Sequence, residues 1–336
     1  MTEDRFVALQ SRVAEPFFRH WRWMLVVAWL LYVLFIVSNR WGPIQAFALG
    51  DTDDNLRLAQ VRAWLGGQGW YDLVQHRFDP AHGGANIHWS RLVDLPIAGL
   101  ILGLRPFLGG PGAERWAVAI APLLPYLLLL FSVALTVRRL VDPRAYALAF
   151  LALFFAGSTN GMFMPERIDH HGWQLALLAL GVAALADRHK LRGGITLGVA
   201  SALSLAIGLE MLIYLAIAAA AMALFWVADR EERERLGAYT VTFGGGTAFA
   251  FLLFASYANR SPVCDALSPV WLSNALLGTA LLFALAWWSP AKWPQRLALV
   301  AAAGLVVAAF HAWMWPHCLH RLEGVSDEVN RLWLSH

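Results

Sequence analysis

Charge is scarce in this chain. Asp, Glu, Lys and Arg make up 15% of its 336 residues, against about a quarter in an ordinary soluble domain. Hydrophobic residues reach 59% and the mean hydropathy is +0.53, which excludes a water-soluble globule. Repeated apolar runs of about 18 or more residues read instead as membrane spans. A basic cluster is missing, and the net charge is only +3, so nothing points to nucleic acid. Cysteine is nearly absent, with Cys264 and Cys318 the two examples. The stretch "HCLH" at 317–320 therefore lacks the companion pair of a metal-binding motif. No small-residue cleavage site follows the first apolar run, "WMLVVAWLLYVLFIVSNRW", which reads as an uncleaved span and not as a signal peptide. An internal repeat is also missing, and ionisable groups are rare inside the spans apart from Glu210. Both absences count against a transporter, which places charges mid-span in repeated, broken helices. A transporter or a non-catalytic polytopic partner stays as the alternative class.

What is present is an all-α pattern. Hydropathy gives nine spans, near 22–39, 116–136, 144–158, 172–187, 194–209, 211–227, 238–257, 269–288 and 295–313. A weaker candidate, "VDLPIAGLILGLRPFL" at 93–108, is short and broken by Pro96, Gly103 and Pro106. If it does not cross, the basic loops "VRRLVDPR", "RHKLR", "DREERER" and "AKWPQR" all share the side of the Arg-bearing N-terminus, as the positive-inside rule requires. We read it as an interfacial or re-entrant helix. The expected organisation is a single transmembrane domain over 1–336, with a cytoplasmic N-terminus (1–21), a long first outer loop (40–92) and an outer tail (314–336). The ending "GVSDEVNRLWLSH" reads as a helix begun without a C-terminal cap. Seventeen Trp residues suit interfacial belts.

This topology gathers the polar residues on the outer face. "GDTDDNLRLAQ" carries Asp51, Asp53 and Asp54. Close carboxylates hold a hard divalent cation such as Mg²⁺ or Mn²⁺, or raise one another's pKa and supply a general base. They also suit a plain helix start, with Asp51 or Thr52 as N-cap and acids in the first turn. An EF-hand is excluded, since its twelfth position is Arg62 and not Glu. A second set is Asp169-His170-His171, with Glu166 nearby, directly before a span. Asp169 and His171 converge on one ion if the segment is extended there. A third is "FDPAHGGANIHWSRLVD", where His88, Trp89 and Arg91 form an aromatic-basic cluster. Arg91, with Arg57 and Arg77 as lesser candidates, could meet a phosphorylated ligand or simply anchor the interface. Glu210 interrupts an apolar stretch, by default a functional hypothesis. Cys264 and Cys318, both on the oxidising side, suit a disulfide. "GGG" at 244–246 sits inside a span and is a close-packing site, not a phosphate loop.

Taken together, "DTDDNLRLAQ", "DPAHGGANIHWSRLVDLP" and "PERIDHHGWQ" resemble the membrane domain of GT-C-fold glycosyltransferases, and among them the catalytic subunit of the oligosaccharyltransferase family. The resemblance covers roughly residues 20–190. It implies that Asp51 is the first catalytic acid and that Asp169 and His171 fill the second motif. It also implies that these three hold Mg²⁺ or Mn²⁺ between acceptor and donor phosphate. Arg57, His88, Trp89, Arg91, Glu210 and Asp265 are then candidates for donor-phosphate or substrate contacts, with Asp53, Asp54 and His170 in support. Asp265 or Glu210 stands in for a later-loop Glu of the family. A "WWD"-type acceptor motif is not found. The expected partners are a lipid-linked sugar donor, membrane lipids and an acceptor of unknown class (protein, lipid or glycan). The expected location is a bacterial inner membrane, with the active face periplasmic or extracellular.

Overall fold

The computed structural model describes residues 17–78, 80–319 and 331. Most of the N-terminal segment and most of the 314–336 tail lie outside the described residues, so the expectations made for them are not addressed. Thirteen α-helices carry the described chain: α1 Trp21–Asn39, α2 Trp41–Ala46, α3 Thr52–Leu65, α4 Arg91–Ile120, α5 Leu123–Leu140, α6 Ala147–Phe154, α7 Gly157–Gly161, α8 His171–Leu185, α9 Lys190–Ile207, α10 Leu212–Ala228, α11 Arg233–Phe254, α12 Pro269–Trp288 and α13 Trp293–Met314. The only sheet among the described residues is a two-residue hairpin, β1 Val74–Gln75 antiparallel to β2 Ala85–Asn86.

Six stretches among the described residues are long and apolar enough to cross a membrane: α1, Arg91–Leu140, α9, Arg230–Phe254, α12 and α13. Helices α8 and α10 are apolar but shorter. Segment 144–158, expected as one span, contains the eight-residue α6 followed by the separate α7. A helix of that length is well under the roughly 20 residues a span needs. The expected span 116–136 lies within the Arg91–Leu140 stretch, with a turn at Pro122 between α4 and α5. A proline there fits the first turn of the following helix but has no N–H to continue the preceding one. Segment 93–108 is helical as read, within α4, and the helix is interrupted at Gly109 (φ 69°, ψ 177°). That backbone lies where an L side chain is strained.

The helices divide into two compact units: residues up to Leu58 with Pro96–Ala186, and Ala59–Leu95 with Asp187 onward. The first unit has a core of aromatic and aliphatic side chains from α1, α5, α6 and α8, among them Trp21, Leu25, Tyr126, Leu130 and Ala176. Tyr32 stacks on Tyr126 at 4.5 Å, and the Trp29 indole N–H donates to the Leu123 carbonyl over 2.8 Å. In the second unit α9 and α11 approach closely through glycine. A Cβ on Gly194 would fall inside the Arg235 backbone, and one on Gly198 inside that of Tyr239. From the "GGG" run, Gly244 faces Thr279 and Gly246 faces Ala202 with no room for a Cβ, whereas Gly245 opens to space. Small residues at such positions let helix backbones meet where lipid-like surroundings offer no hydrophobic drive.

Candidate active site

The acidic stretch is both a helix cap and the floor of a charged cluster. Asp51 Oδ1 accepts the N–H groups of Asp53 (3.0 Å) and Asp54 (3.1 Å). Asp54 Oδ2 in turn accepts the Asp51 N–H over 3.2 Å. This reciprocal pair is the capping-box arrangement, and the first-turn acids lie where the helix dipole favours negative charge. The cap fixes both carboxylates: Asp54 is fully buried, while the Asp51 side chain keeps 38% exposure.

Asp54 Oδ1 also accepts the N–H of Asp169 over 3.0 Å, which ties α3 to the segment leading into α8. That segment bends at Glu166, which has a left-handed backbone (φ 75°) although it carries a side chain. Its N–H donates to the Val118 carbonyl over 2.9 Å, and its buried carboxylate meets Arg40 over 3.2 Å. Burial pushes the Glu166 carboxyl up, with Arg40 opposing. Glu166 is thus turned to Arg40, while the next residue is turned to the acids. Arg167 Nη1 donates to Asp51 Oδ2 and lies 3.3 Å from Asp54 Oδ2; its Nη2 lies 3.9 Å from Asp169 Oδ2.

Asp169 is held by both histidines. Its Oδ1 accepts the His170 N–H over 2.6 Å and lies 2.5 Å from His170 Nδ1, while Oδ2 pairs with His171 Nδ1. The two imidazoles stack at 4.5 Å, and Arg57 Nη2 lies 3.3 Å from His170 Nδ1. Burial pushes the Asp169 carboxyl up, but the hydrogen bonds and charge of His170 and His171 outweigh it and hold it well below the usual carboxylate range. Asp54 goes the other way. Burial, reinforced by the charges of Asp169 and Asp53, raises it to about 7 against the N–H bonds it accepts. Two neighbouring carboxyls with pKa values pushed apart can take different roles in proton chemistry.

One atom from each of Asp169, His170 and His171 falls within 4.8 Å of the others. Carboxylate oxygens suit Mg²⁺ or Mn²⁺, and imidazole nitrogens suit ions such as Zn²⁺. The exposed members of the cluster are Asp51 and His171, at 38% and 35%. The mixed donor set of carboxylate and imidazole fits a divalent cation. Sequence reasoning misses Arg167 and the central place of Asp54. The signal for Arg167 is a lone base between Glu166 and Asp169 in "PERIDHHG".

The second unit gives the other expected residues different surroundings. Arg91 is fully buried. It donates to the carbonyls of Gln60 (3.2 Å), Gly69 (3.3 Å), Trp70 (3.3 Å) and Asp72 (2.7 Å) and pairs with Asp94 at 3.4 Å. It stitches the outer loop to the start of α4. Trp89 is buried; His88 is half-exposed, 3.8 Å from Asp265, and its carbonyl accepts from Asn259 over 3.1 Å. Glu210 is exposed in the turn between α9 and α10, outside both helices. Asp53, in the first unit, is half-buried. Cys264 and Cys318 form a disulfide, so their thiolates are not available to a metal even though His317 lies beside them.

Comparison with known proteins adds the fold's relatives. No protein-family description and no curated protein matches the chain. Among solved structures, the archaeal oligosaccharyltransferase AglB from Archaeoglobus fulgidus, in complex with an inhibitory peptide and a dolichol-phosphate, matches with a TM-score of 0.66 and 16% identity. The match covers 95% of this chain and 40% of that one. The Archaeoglobus fulgidus oligosaccharyltransferase complex with Zn and sulfate matches with a TM-score of 0.64 and 18% identity, over 87% of this chain and 39% of that one. The chain thus spans about 40% of the length of the enzymes it is similar to. The chain is an all-α polytopic protein whose fold is that of the membrane part of an archaeal oligosaccharyltransferase.

Proposed function

We propose that the chain is a glycosyltransferase that moves a sugar or oligosaccharide from a polyprenyl-phosphate or polyprenyl-diphosphate donor to an acceptor on the outer face of the membrane. The observation that carries this reading is the convergence of Asp51, Asp54, Arg167, Asp169 and His171 in one unit, within a fold of the oligosaccharyltransferase kind. The reading assigns Asp51, Asp169 and His171 to a divalent cation, Mg²⁺ or Mn²⁺. When bound, such an ion would offset charge on the departing phosphate. The AglB complex holds a dolichol-phosphate and a peptide, which supports a lipid-linked donor here without naming the acceptor.

The transfer itself exchanges two bonds at the sugar's anomeric carbon. The acceptor nucleophile forms the new bond as the bond to the donor phosphate oxygen breaks, and the electron pair leaves with the phosphate. Asp51, the exposed carboxylate of the cluster, orients the acceptor and takes its proton. Asp54 holds Asp51 and Asp169 in register by bonding both backbones. Asp169 stays ionised and fixes the orientation of both imidazoles. The test is turnover of a radiolabelled polyprenyl-linked sugar by the purified protein in lipid nanodiscs with Mn²⁺. Loss of at least about a hundredfold in Asp51→Ala and Asp169→Ala is expected. Equal turnover in wild type and both variants would remove the two residues from the mechanism.

A further inference from the structure

The cluster carries its own cation. The Arg167 guanidinium donates to Asp51, lies 3.3 Å from Asp54 Oδ2 and sits 3.9 Å from Asp169 Oδ2. Two of those three carboxylates are buried, Asp54 fully and Asp169 to within 5%. Buried carboxylates need a counter-charge, and one planar guanidinium serves three because its donors fan out in a fixed fork. Gly50 makes this possible. A Cβ there would lie 2.8 Å from Asp54 Oδ2 and 3.8 Å from Arg167 Cδ, so a larger residue would push into the contact.

A divalent ion held by Asp51, Asp169 and His171, as proposed above, needs carboxylate oxygens that the guanidinium now faces, at about 2.0–2.6 Å. The guanidinium cannot stay beside it, because two positive charges would then share one set of carboxylates. Arg167 is free to leave: its side chain is 24% exposed, and it lies in the non-helical stretch ahead of α8. We infer that Arg167 is a displaceable internal counter-ion, which offsets part of the negative charge of the acidic cluster when no metal is present and gives way when a divalent cation binds. Arg167 is then a positioning residue that sets cation affinity, and this rests on the reading that the cluster takes a cation at all. Removing the arginine strips away the competitor, so the metal binds more tightly although a polar contact is lost.

The test measures Mn²⁺ binding by electron paramagnetic resonance on the full chain in nanodiscs, comparing wild type with Arg167→Gln and Arg167→Lys. The expected result is affinity at least tenfold higher in Arg167→Gln, with Arg167→Lys between it and wild type. Equal or weaker binding by Arg167→Gln, while wild type binds, overturns displacement and leaves the cation reading intact. No Mn²⁺ binding by either protein overturns both. A measurement on wild type alone covers the case in which the variants fail to fold. Modification of Arg167 by phenylglyoxal, followed residue by residue by mass spectrometry, is expected to speed up severalfold on adding Mn²⁺. An unchanged or slower rate overturns the inference.

Discussion

The N–H of Asp169 donates to Asp54 Oδ1 over 3.0 Å, joining two residues 115 positions apart in the chain. Through that bond the start of α3 and the approach to α8 become one site. Asp54 also accepts from Asp51 N–H and lies within reach of Arg167, so a single buried carboxylate organises three partners.

Replacing it should be costly. Asp54→Ala leaves two backbone N–H groups and the guanidinium without their shared acceptor, each buried donor costing about 1–3 kcal/mol. A drop in unfolding midpoint is expected for Asp54→Ala in detergent melts, with Asp54→Asn, which keeps one oxygen, falling between. An unchanged midpoint in Asp54→Ala would show that the cluster does not depend on this bond.

The raised pKa of Asp54 gives a signed prediction. Its carboxyl titrates at about 7 in the fold because burial disfavours its charge, against about 3.9 in an unfolded chain. Between those values the native state holds a proton that the unfolded state has lost. The contribution of this group to stability therefore falls as pH rises from about 4 to about 7. Melts of wild type and Asp54→Asn across that window should diverge, with wild type losing stability relative to the variant toward neutral pH. Parallel curves would contradict the shift.

Arg91 separates two roles that its sequence context leaves open. It is fully buried and bonded to loop carbonyls between Gln60 and Asp72, so Arg91→Ala should destabilise the chain by about 3 kcal/mol or more. Arg91→Lys should recover part of that, since an ammonium lacks the fork that reaches several carbonyls at once. Full stability together with lost turnover would return Arg91 to a substrate-phosphate role.

The Cys264–Cys318 disulfide closes a separation of 54 residues. On chain entropy alone, its reduction should cost up to about 4 kcal/mol, read as a lower melting point with dithiothreitol or in Cys264→Ser. Thiol labelling in cells tests the topology as well. An oxidised pair places this loop on the non-reducing side of the membrane, and free thiols in cells would put it on the other.

Much of the fold is legible in the order of residues alone. Apolar runs are long, contiguous and local, so α1, α9, α12 and α13 fall close to their expected ranges. The expectation of one span over 144–158 fails where a short break outweighs a hydropathy average, ahead of Gly157. Within the site, Asp51 is readable as a cap because capping is a contact over three residues. Asp169, His170 and His171 stand out because they are adjacent.

By itself the sequence determined that this is a membrane protein of apolar helices, that its acids and histidines sit in a few short stretches, and which of those stretches start helices. Those are consequences of nearest-neighbour chemistry and of the cost of leaving polar groups in hydrocarbon. Only the tertiary structure decided that Asp54, and not Asp53, is buried at the centre. The same holds for Arg167, which pairs with the acids, and for Arg91, which serves the loop. A charge's role depends on which opposite charge or carbonyl lies within about 4 Å of it, and that distance is set by contacts between residues far apart in the chain.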